Sequence, residues 1–324
     1  MKILNFGSLN LDYVYGVEHF VMAGETISSS SRDTFCGGKG LNQSVALAKA
    51  GGNVFHAGNI GAEGGMLRDM LESAGVDTHL TKEVGVPTGH AIIQVNEKGN
   101  NCIILFGGAN QQITSAQTDA TLAEFSAGDY LILQNEVNML AEIIDKAYAK
   151  GMVIFLNPSP FDDKLKSIDY NKISYILLNE VEGAAISGKT EADEILDAIR
   201  AKYPKMKVVL TLGENGSVYD DGKERTAQSI FKVKAVDTTA AGDTFTGYFV
   251  TALAEGRTPA EALKRAAGGA RASSALDPKK GGGGFRHRRF EKGRRSFRSR
   301  RARGRGFPRG EVNLLSRATA QYTR

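Results

Sequence analysis

Short apolar runs alternate with longer amphipathic stretches from Lys2 to about Gly256. Runs of four to six apolar residues are typical of parallel strands buried on both faces, and the stretches between them are typical of crossover helices. The strand pattern occurs at Ile3–Phe6, Ala91–Val95, Cys102–Phe106, Tyr130–Gln134, Val153–Leu156, Tyr175–Leu178, Lys207–Thr211 and Gly216–Tyr219. The helix pattern occurs at Met139–Lys150, Glu191–Ala201 and Gly242–Glu255. We therefore predict an α/β fold with a central, mostly parallel sheet flanked by helices.

Two segments depart from this alternation. Around residues 10–36 and 85–108, strand patterns follow one another without a helix between them. Strands joined without crossover helices pair as hairpins or meanders. We therefore predict a small β-sheet that leaves the main sheet as an excursion and can act as a lid. Both sheets belong to one predicted domain, residues 1–276.

Residues 277–324 form an Arg/Gly-rich basic tail. They contain 16 Lys and Arg against 3 Asp and Glu, whereas residues 1–276 contain 25 against 33. The excess positive charge of the whole chain therefore comes from the tail alone. The tail has almost no apolar periodicity, so it cannot bury enough surface to offset the entropy lost on ordering. We predict that it is disordered.

Composition favours a globular protein over a membrane-spanning protein or a disulfide scaffold. The chain has 324 residues, of which 41% are hydrophobic, enough for a large globular core. No apolar run approaches the ~20 residues of a membrane-spanning helix, so no membrane partner is expected. Two cysteines, Cys36 and Cys102, cannot form a disulfide framework. Together with an N-terminus that lacks a signal-peptide layout, this favours a cytoplasmic protein.

The segment from Val236 to Phe245 is the strongest candidate for chemistry. It contains Ala240-Ala241-Gly242-Asp243, and helical spacing of apolar residues begins just after it. Small residues at a helix N-terminus let a ligand approach the free N–H groups, which bind anions. Asp243 in the first turn can point the same way. An ordinary helix start with an acidic first turn explains the segment equally well when it is taken alone.

Two glycine-containing turns carry further polar residues. Cys36–Gln43 is a glycine-rich turn that leads into a helix and presents Lys39 and Asn42. Its spacing differs from that of a Walker loop, so a plain strand-to-helix turn is the alternative. Gly7–Asp12 places Asn10 and Asp12 after the first predicted strand, where open α/β sheets bind ligands.

Together these three segments resemble the ribokinase-like (PfkB) family of carbohydrate kinases. Asn179–Glu182 and Thr211–Gly213 agree with the family in the same order, and the resemblance covers residues 1 to about 275. It implies a ribokinase-like layered fold. It also implies transfer of the γ-phosphoryl group of MgATP to a sugar hydroxyl, with D-ribose the expected acceptor and D-ribose 5-phosphate the product. A homodimer formed through the lid sheet is a further implication.

The resemblance also assigns roles to individual residues. It makes Asp243 the catalytic base. It implies that the backbone N–H groups of Ala240, Ala241 and Gly242 form an anion hole for the transferring phosphoryl group. The residues it assigns to the sugar are Asn10, Asp12, Gly38, Lys39, Asn42, Glu136 and Asp243. The residues it assigns to the nucleotide are Asn179, Thr211, Gly213, Gly216 and Gly242. For the metals it implies Glu182 near Mg²⁺, through water, and Asp237 with Thr239 at a K⁺ site.

The chain departs from the family after residue 276. The family continues with Thr-Arg-x-Gly-Ala and a final helix, whereas this chain has Asp277-Pro278-Lys279 and the basic tail. Codons for these three residues, read one base later, can encode Thr-Arg-Lys, so one hypothesis is a shifted reading frame. A second is weak, non-specific binding of nucleic acid by the tail. A tail without a selected role is favoured over that second hypothesis.

Three functions are therefore compatible with the sequence. The first is a D-ribose kinase, and the second is a kinase of another sugar or of a nucleoside, such as fructose or 2-keto-3-deoxygluconate. The third is an inactive family member whose basic tail binds nucleic acid. The intact segment up to Asp243 favours the two kinases, and the altered C-terminus favours the third. The sequence leaves the choice of sugar open, because pocket geometry decides it.

Overall fold

The computed structural model describes residues 1–231 and 240–274. Its strands are β1 (Ile3–Phe6), β2 (Asn10–Gly16), β3 (Ser31–Gly37), β4 (Val54–Ile60), β5 (Thr81–Glu83), β6 (Gly89–Val95), β7 (Asn101–Phe106), β8 (Tyr130–Gln134), β9 (Val153–Asn157), β10 (Tyr175–Asn179), β11 (Lys207–Thr211), β12 (Ser217–Asp220) and β13 (Arg225–Gln228). Its α-helices are α1 (Lys39–Lys49), α2 (Gly65–Ser73), α3 (Ser115–Ala123), α4 (Leu140–Ala149), α5 (Glu180–Ser187), α6 (Ala192–Lys202), α7 (Ala241–Ala254) and α8 (Pro259–Ser274).

Some predictions fall outside the described residues. They are the potassium residues Asp237 and Thr239, the domain boundary after residue 276 and the basic tail. These remain predictions.

The main sheet confirms the predicted architecture. Within the described ranges its nine strands lie in the order β13-β12-β11-β10-β9-β8-β1-β4-β5, and the strands from β11 to β5 are parallel. At the other edge, β12 and β13 are antiparallel. A single short turn, Gly213–Asn215, joins β11 to β12. A connection of that length cannot make the crossover that a parallel pair needs, so the predicted strand near residue 217 is antiparallel.

Helices cover both faces of the sheet because the strands are apolar on both faces. Leu4 and Leu133 face one core, which α4 and α6 complete with residues such as Ile143 and Ile195. The neighbouring positions on the strands, such as Ile132, face a second core shared with α1, α2, α7 and α8. Such two-sided burial explains why the strand runs lack polar alternation.

The strand order reverses direction at β1. From β1 the chain continues through β4 to β5 on one side, while β8 to β11 extend on the other. In open α/β sheets, ligands bind where the carboxyl ends of two such strands diverge. The residues that follow β1 and β8, Ser8 and Glu136, are hydrogen-bonded to each other at this point. The topology thus places a ligand crevice at the ends of β1 and β8.

A second sheet of four strands leaves the main sheet directly after β1. Its order is β3-β2-β6-β7, with β2 and β6 parallel and the outer pairs antiparallel. This is the accessory sheet predicted from the sequence. Its edge strand β7 carries exposed apolar side chains, of which Ile104 and Leu105 have 63% and 61% of their surface exposed.

The described residues also bear on a membrane location and on the state of the cysteines. Among the helices of the described residues, none combines the length and hydrophobicity that a bilayer crossing requires. Cys36 and Cys102 are both free thiols. Burial raises the pKa of Cys36 to about 12, so this thiol stays protonated beside the glycine-rich turn.

Asp220 anchors the antiparallel edge of the main sheet. The carboxylate of this buried residue accepts hydrogen bonds from Arg200 Nη2 at 2.6 Å and from Arg225 Nη2 at 2.7 Å. Burial alone would raise the pKa of Asp220, but the hydrogen bonds from the two guanidinium groups outweigh it and lower that pKa. The folded state therefore favours the ionised carboxylate.

Replacing Asp220 by Ala is expected to lower the free energy of unfolding by about 2 kcal/mol at pH 7, because two arginines lose a charged partner. In the parent protein, the contribution of Asp220 to the free energy of unfolding is complete above pH ~3.9, which is the pKa of an unfolded aspartate. It is lost as the pH falls through the lower pKa of the folded state. Urea titrations at pH 7 and pH 3 measure both effects. As a control, Asp163→Ala removes an exposed pair with Lys166 and should change stability by less than about 0.5 kcal/mol. Equal effects of the two substitutions would contradict the assignment.

Candidate active site

Asp243 lies in the first turn of α7, at the carboxyl side of the main sheet. The helix begins after Ala240, which has a left-handed backbone with φ 62°. An alanine in this region is strained by about 1 kcal/mol, and such strain is concentrated at functional sites. The N–H groups of the first helical turn have no acceptor within the helix. Ala241 and Gly242 leave these groups accessible, so the turn presents an anion site beside the carboxylate.

The carboxylate of Asp243 is buried and held from one side. Asn42 Nδ2 lies 3.2 Å from Oδ2, and Gln43 Nε2 donates to Oδ1 at 2.9 Å. Burial raises the pKa of Asp243, while the Lys39 ammonium and the two amides act against this rise. A raised pKa makes the ionised carboxylate a stronger base for a neighbouring hydroxyl.

The N-terminus of α1 faces this carboxylate. Gly38 precedes the helix with φ 95°, a conformation that favours glycine. The first two helical N–H groups find acceptors outside the helix: Lys39 N donates to Glu136 Oε2 at 2.9 Å, and Gly40 N lies 3.2 Å from Ser8 Oγ. Burial raises the pKa of Glu136, and the Ser8 hydroxyl and Lys39 charge oppose it. Glu136 thus caps α1 as well as lining the crevice.

Asn10 and Asp12 lie at the start of β2, where the accessory sheet leaves the main sheet. Both lie on β2, and Asn10 Oδ1 accepts a hydrogen bond from Asn110 Nδ2 at 2.7 Å. The Asp12 carboxylate packs against Gly37, where any side chain would collide with it. The accessory sheet therefore contributes an amide and a carboxylate to the crevice formed by the main sheet.

A cavity of about 150 Å³ lies between Asp243 and the carboxyl end of β10. It is lined by polar residues that include Lys39, Asn179 and Glu182. Asn179 and Glu182 form a capping box at the start of α5: Glu182 N donates to Asn179 Oδ1 at 2.9 Å, and Asn179 N donates to Glu182 Oε2 at 3.0 Å. The sequence Asn-x-x-Glu predicts such a cap, so these two residues have a structural role besides any ligand role.

A second cavity of about 400 Å³ adjoins the first and has a mostly apolar lining. The two cavities share Thr211, Gly242 and Phe245. Gly213 and Gly216 line the larger one, and Gly216 has φ 99° with its Cα facing the carbonyl of Gln228. The larger cavity thus has an apolar wall and opens at Gly242 onto the N-terminus of α7.

Most of the residues predicted for the site lie together here, but three buried residues beside them were not predicted. Ser8, Gln43 and Gln134 were not among the candidates, yet all three are buried polar residues near the crevice. Gln134 ends an otherwise apolar strand run, which was the available signal. Asp237 and Thr239 lie outside the described residues, so the predicted potassium site is untested.

The family model described as pfkB family carbohydrate kinase matches residues 1–275. The chain belongs to this family. The family assignment makes the protein an ATP-dependent carbohydrate kinase with a small-molecule sugar as its substrate.

Similar proteins agree with this assignment. The kinase is 36% identical over 274 residues to the ribokinase of Haemophilus influenzae, covering 80% of this chain and 87% of the relative. The ribokinase of Cryptococcus neoformans, solved with ADP, superposes with a TM-score of 0.76 at 32% identity, covering 88% of this chain and 95% of the other. The ribokinase of Arabidopsis thaliana, solved with ribose and ATP, gives a TM-score of 0.76 at 28% identity, with 87% and 94% covered. A deoxyribokinase of Salmonella typhi is 29% identical over 279 residues, covering 82% of this chain and 90% of the relative.

Proposed function

We propose that this kinase transfers the γ-phosphoryl group of MgATP to O5 of D-ribose, giving D-ribose 5-phosphate and ADP. The observation that carries the proposal is the position of Asp243. Its buried carboxylate lies between the sugar crevice and the nucleotide cavity, at a helix N-terminus that can bind a phosphoryl group. The similarity to ribokinases supports ribose as the acceptor.

In this reaction the O5 hydroxyl of the sugar attacks the γ-phosphorus, and its proton passes to Asp243. The bond between the γ-phosphorus and the β,γ-bridging oxygen breaks, and ADP leaves with that electron pair. The transition state is loose, so alignment and charge stabilisation supply most of the catalysis. The N–H groups of Ala240, Ala241 and Gly242 face the developing charge on the transferred group.

The sugar hydroxyls require a mixture of donors and acceptors. The crevice offers carboxylates, amides and an ammonium from three different elements. The residues that we assign to the sugar are Asn10, Asp12, Gly38, Lys39, Asn42 and Glu136. Because these residues lie on β2, at the N-terminus of α1 and after β8, the binding of sugar would hold the accessory sheet against the main sheet and exclude water.

The nucleotide would occupy the larger cavity, with its base against apolar side chains and its phosphates toward Gly242. Thr211, Gly213 and Gly216 line that cavity, and Asn179 lies on the phosphate side. Thr211 Oγ1 already lies 3.3 Å from the carbonyl of Leu178, which fixes the side chain at the wall of the cavity.

The residues near the phosphate side fit a Mg²⁺ ion bound largely through water. No cluster of three His, Cys, Asp or Glu side chains that could hold a metal occurs within the described ranges. Mg²⁺ in nucleotide sites uses one or two carboxylates, substrate phosphates and several waters, so a single carboxylate suffices. Glu182 lines the smaller cavity and would hold the ion there. When bound, Mg²⁺ neutralises phosphate charge. We also propose that K⁺ activates the kinase by binding at Asp237 and Thr239.

A panel of acceptors tests the proposal. ADP formation from MgATP is measured with D-ribose, 2-deoxy-D-ribose, fructose, 2-keto-3-deoxygluconate and a nucleoside, with K⁺ present. We expect D-ribose to give the highest kcat/KM. A higher value for 2-deoxyribose would instead place this chain with the deoxyribokinases, to one of which it is also similar. No ADP with any acceptor, from folded protein, would contradict the kinase proposal.

We also propose that the chain forms a homodimer through the accessory sheet. Ile103, Ile104, Leu105 and Phe106 on the edge strand β7 are each about half exposed or more. An apolar edge strand with unpaired backbone groups is stabilised by pairing with another strand. A second copy of the chain supplies an identical strand, and the mass in solution measures the association.

A further inference from the structure

A chain of buried hydrogen bonds runs from Asp243 into the protein interior. Gln43 donates from Nε2 to Asp243 Oδ1 at 2.9 Å and accepts at Oε1 from Gln134 Nε2 at 2.7 Å. Gln134 Nε2 donates its second hydrogen to Asn5 Oδ1 at 2.9 Å. Gln43, Gln134 and Asn5 have no exposed surface. Three amides from α1, β8 and β1 therefore lie in series behind the carboxylate.

The chain continues beneath the N-terminal turn of α1. Asn5 Nδ2 donates to the carbonyl oxygen of Gly40 at 2.7 Å and to Ser44 Oγ at 2.8 Å. The hydroxyl of Ser44 lies 2.8 Å from His56 Nδ1. Burial lowers the pKa of His56 to about 3, so this imidazole is neutral at physiological pH. The Ser44 hydroxyl can accept from Asn5 and still donate its own hydrogen to a neutral His56 Nδ1.

Two acceptors at the ends fix the direction of every amide between them. The ionised carboxylate of Asp243 and the carbonyl of Gly40 can accept hydrogen bonds but cannot donate them. If Gln43 turned over, its carbonyl would face the carboxylate and its NH₂ would face that of Gln134. If Asn5 turned over, its carbonyl would face that of Gly40. Gln134 then has one orientation in which its NH₂ donates to the carbonyls of both Gln43 and Asn5, while its own buried Oε1 has no hydrogen-bond partner among the described residues.

We propose that Gln43 is a positioning residue for Asp243, with its amide locked in one orientation by Gln134 and Asn5. The inference rests on the proposed role of Asp243 as the base. Each carboxylate oxygen accepts from one amide, Oδ1 from Gln43 at 2.9 Å and Oδ2 from Asn42 at 3.2 Å, and the proton of the sugar hydroxyl is received at the remaining lone pair of Oδ2, the oxygen with the longer hydrogen bond. That oxygen lies beside the half-buried Asn42, whereas Oδ1 faces fully buried Gln43. The lock thus holds the accepting oxygen toward the sugar crevice.

The charged groups around Asp243 do not supply this orientation. The Lys39 ammonium attracts the carboxylate, and Glu136 and Glu182 lie on the walls around it. A Lys ammonium on its flexible stem imposes little directional preference between the two carboxylate oxygens. Loss of the Gln43 amide should therefore leave the Asp243 carboxylate ionised and free to rotate.

The variant Gln43→Met keeps the size of the side chain and removes its donor. We expect kcat to fall about 10- to 100-fold, as for loss of a hydrogen bond to a charged group, with KM for sugar and MgATP little changed. Gln134→Met removes the lock without touching Asp243, and a smaller loss in kcat is expected. A matched control is Gln117→Met, because Gln117 is a buried glutamine whose amide donates to Asn59 at 2.8 Å. This control should leave kcat unchanged.

A double-mutant cycle separates positioning from general damage. If Gln43 acts through Asp243, adding Gln43→Met to Asp243→Asn should cause no further loss in kcat. An equal loss in both backgrounds, or a Gln43→Met kcat within twofold of the parent, would overturn the proposal. If Gln43→Met fails to fold by circular dichroism, the same cycle with Gln134→Met decides. Turnover by Asp243→Asn alone at the parental rate would instead overturn the base assignment, and the two failures are therefore distinct.

Discussion

Replacing Asp243 by Asn is expected to lower kcat by about 10²- to 10⁴-fold, the range over which general bases contribute. The amide has nearly the same shape as the carboxylate, so its oxygen can still accept the hydrogen bond from Gln43. It cannot take the proton of the attacking hydroxyl. Nucleotide binding should be nearly intact, because the larger cavity is lined mostly by apolar residues and by backbone that the substitution leaves in place.

Steady-state turnover and ADP titration calorimetry measure these two properties of the variant. Asp119→Asn serves as a control, since Asp119 forms an exposed ion pair with Lys146 at 2.6 Å on the opposite side of the sheet from α7. Its kcat should equal that of the parent. A kcat for Asp243→Asn within tenfold of the parent would show that another group accepts the proton. A large loss of ADP affinity would show that Asp243 maintains the nucleotide cavity.

Glu136→Gln is expected to raise KM for the sugar by about 10- to 100-fold, with a smaller effect on kcat. The amide oxygen of Gln can replace Glu136 Oε2 as the acceptor for Ser8 and for the N–H of Lys39, so the cap of α1 survives. The other oxygen becomes an NH₂ group, which cannot accept from a sugar hydroxyl. The loss corresponds to one hydrogen bond to a charged group, about 1.5 to 3 kcal/mol.

Initial rates over a range of ribose and MgATP concentrations separate the two KM values. The KM for MgATP should stay within about twofold, because Glu136 lies in the crevice that we propose for the sugar and does not line the larger cavity. Glu142→Gln is the matched control, as Glu142 pairs with Lys146 on the surface of α4. Equal increases in both KM values would indicate a general disturbance of the crevice rather than a contact with the sugar.

Periodicity predicted six of the nine strands that the described residues place in the main sheet, and β4, β5 and β13 were not among the predicted strands. Ile3–Phe6, Tyr130–Gln134 and Lys207–Thr211 are strands with the predicted bounds, because apolar runs of that length are buried on both faces. The helix that carries Asp243 was predicted one residue late at each end. The direction of β12 was not predictable from its own residues, since the length of the preceding turn determines it.

The residues behind the carboxylate were harder to predict than those around it. Asn5, Gln43 and Gln134 are separated by 38 and 91 positions in sequence, and they meet only because β1, α1 and β8 are neighbours in the fold. A polar residue inside an apolar strand run is the signal that such a network leaves in a sequence. It marks a buried amide without identifying its partner. Likewise, the sequence Asn179-x-x-Glu182 predicts a helix cap, but only ligand roles were predicted for these two residues.

The position of the phosphoryl group on the product is the sharpest test of whether this kinase phosphorylates D-ribose at O5. The kinase is incubated with MgATP, K⁺ and ribose labelled with ¹³C at C5, and the product is examined by ¹³C NMR. We expect a single product whose C5 signal is split by phosphorus, formed in equal amount to ADP. An ADP release that does not depend on ribose, or a phosphoryl group on another carbon, would contradict this expectation.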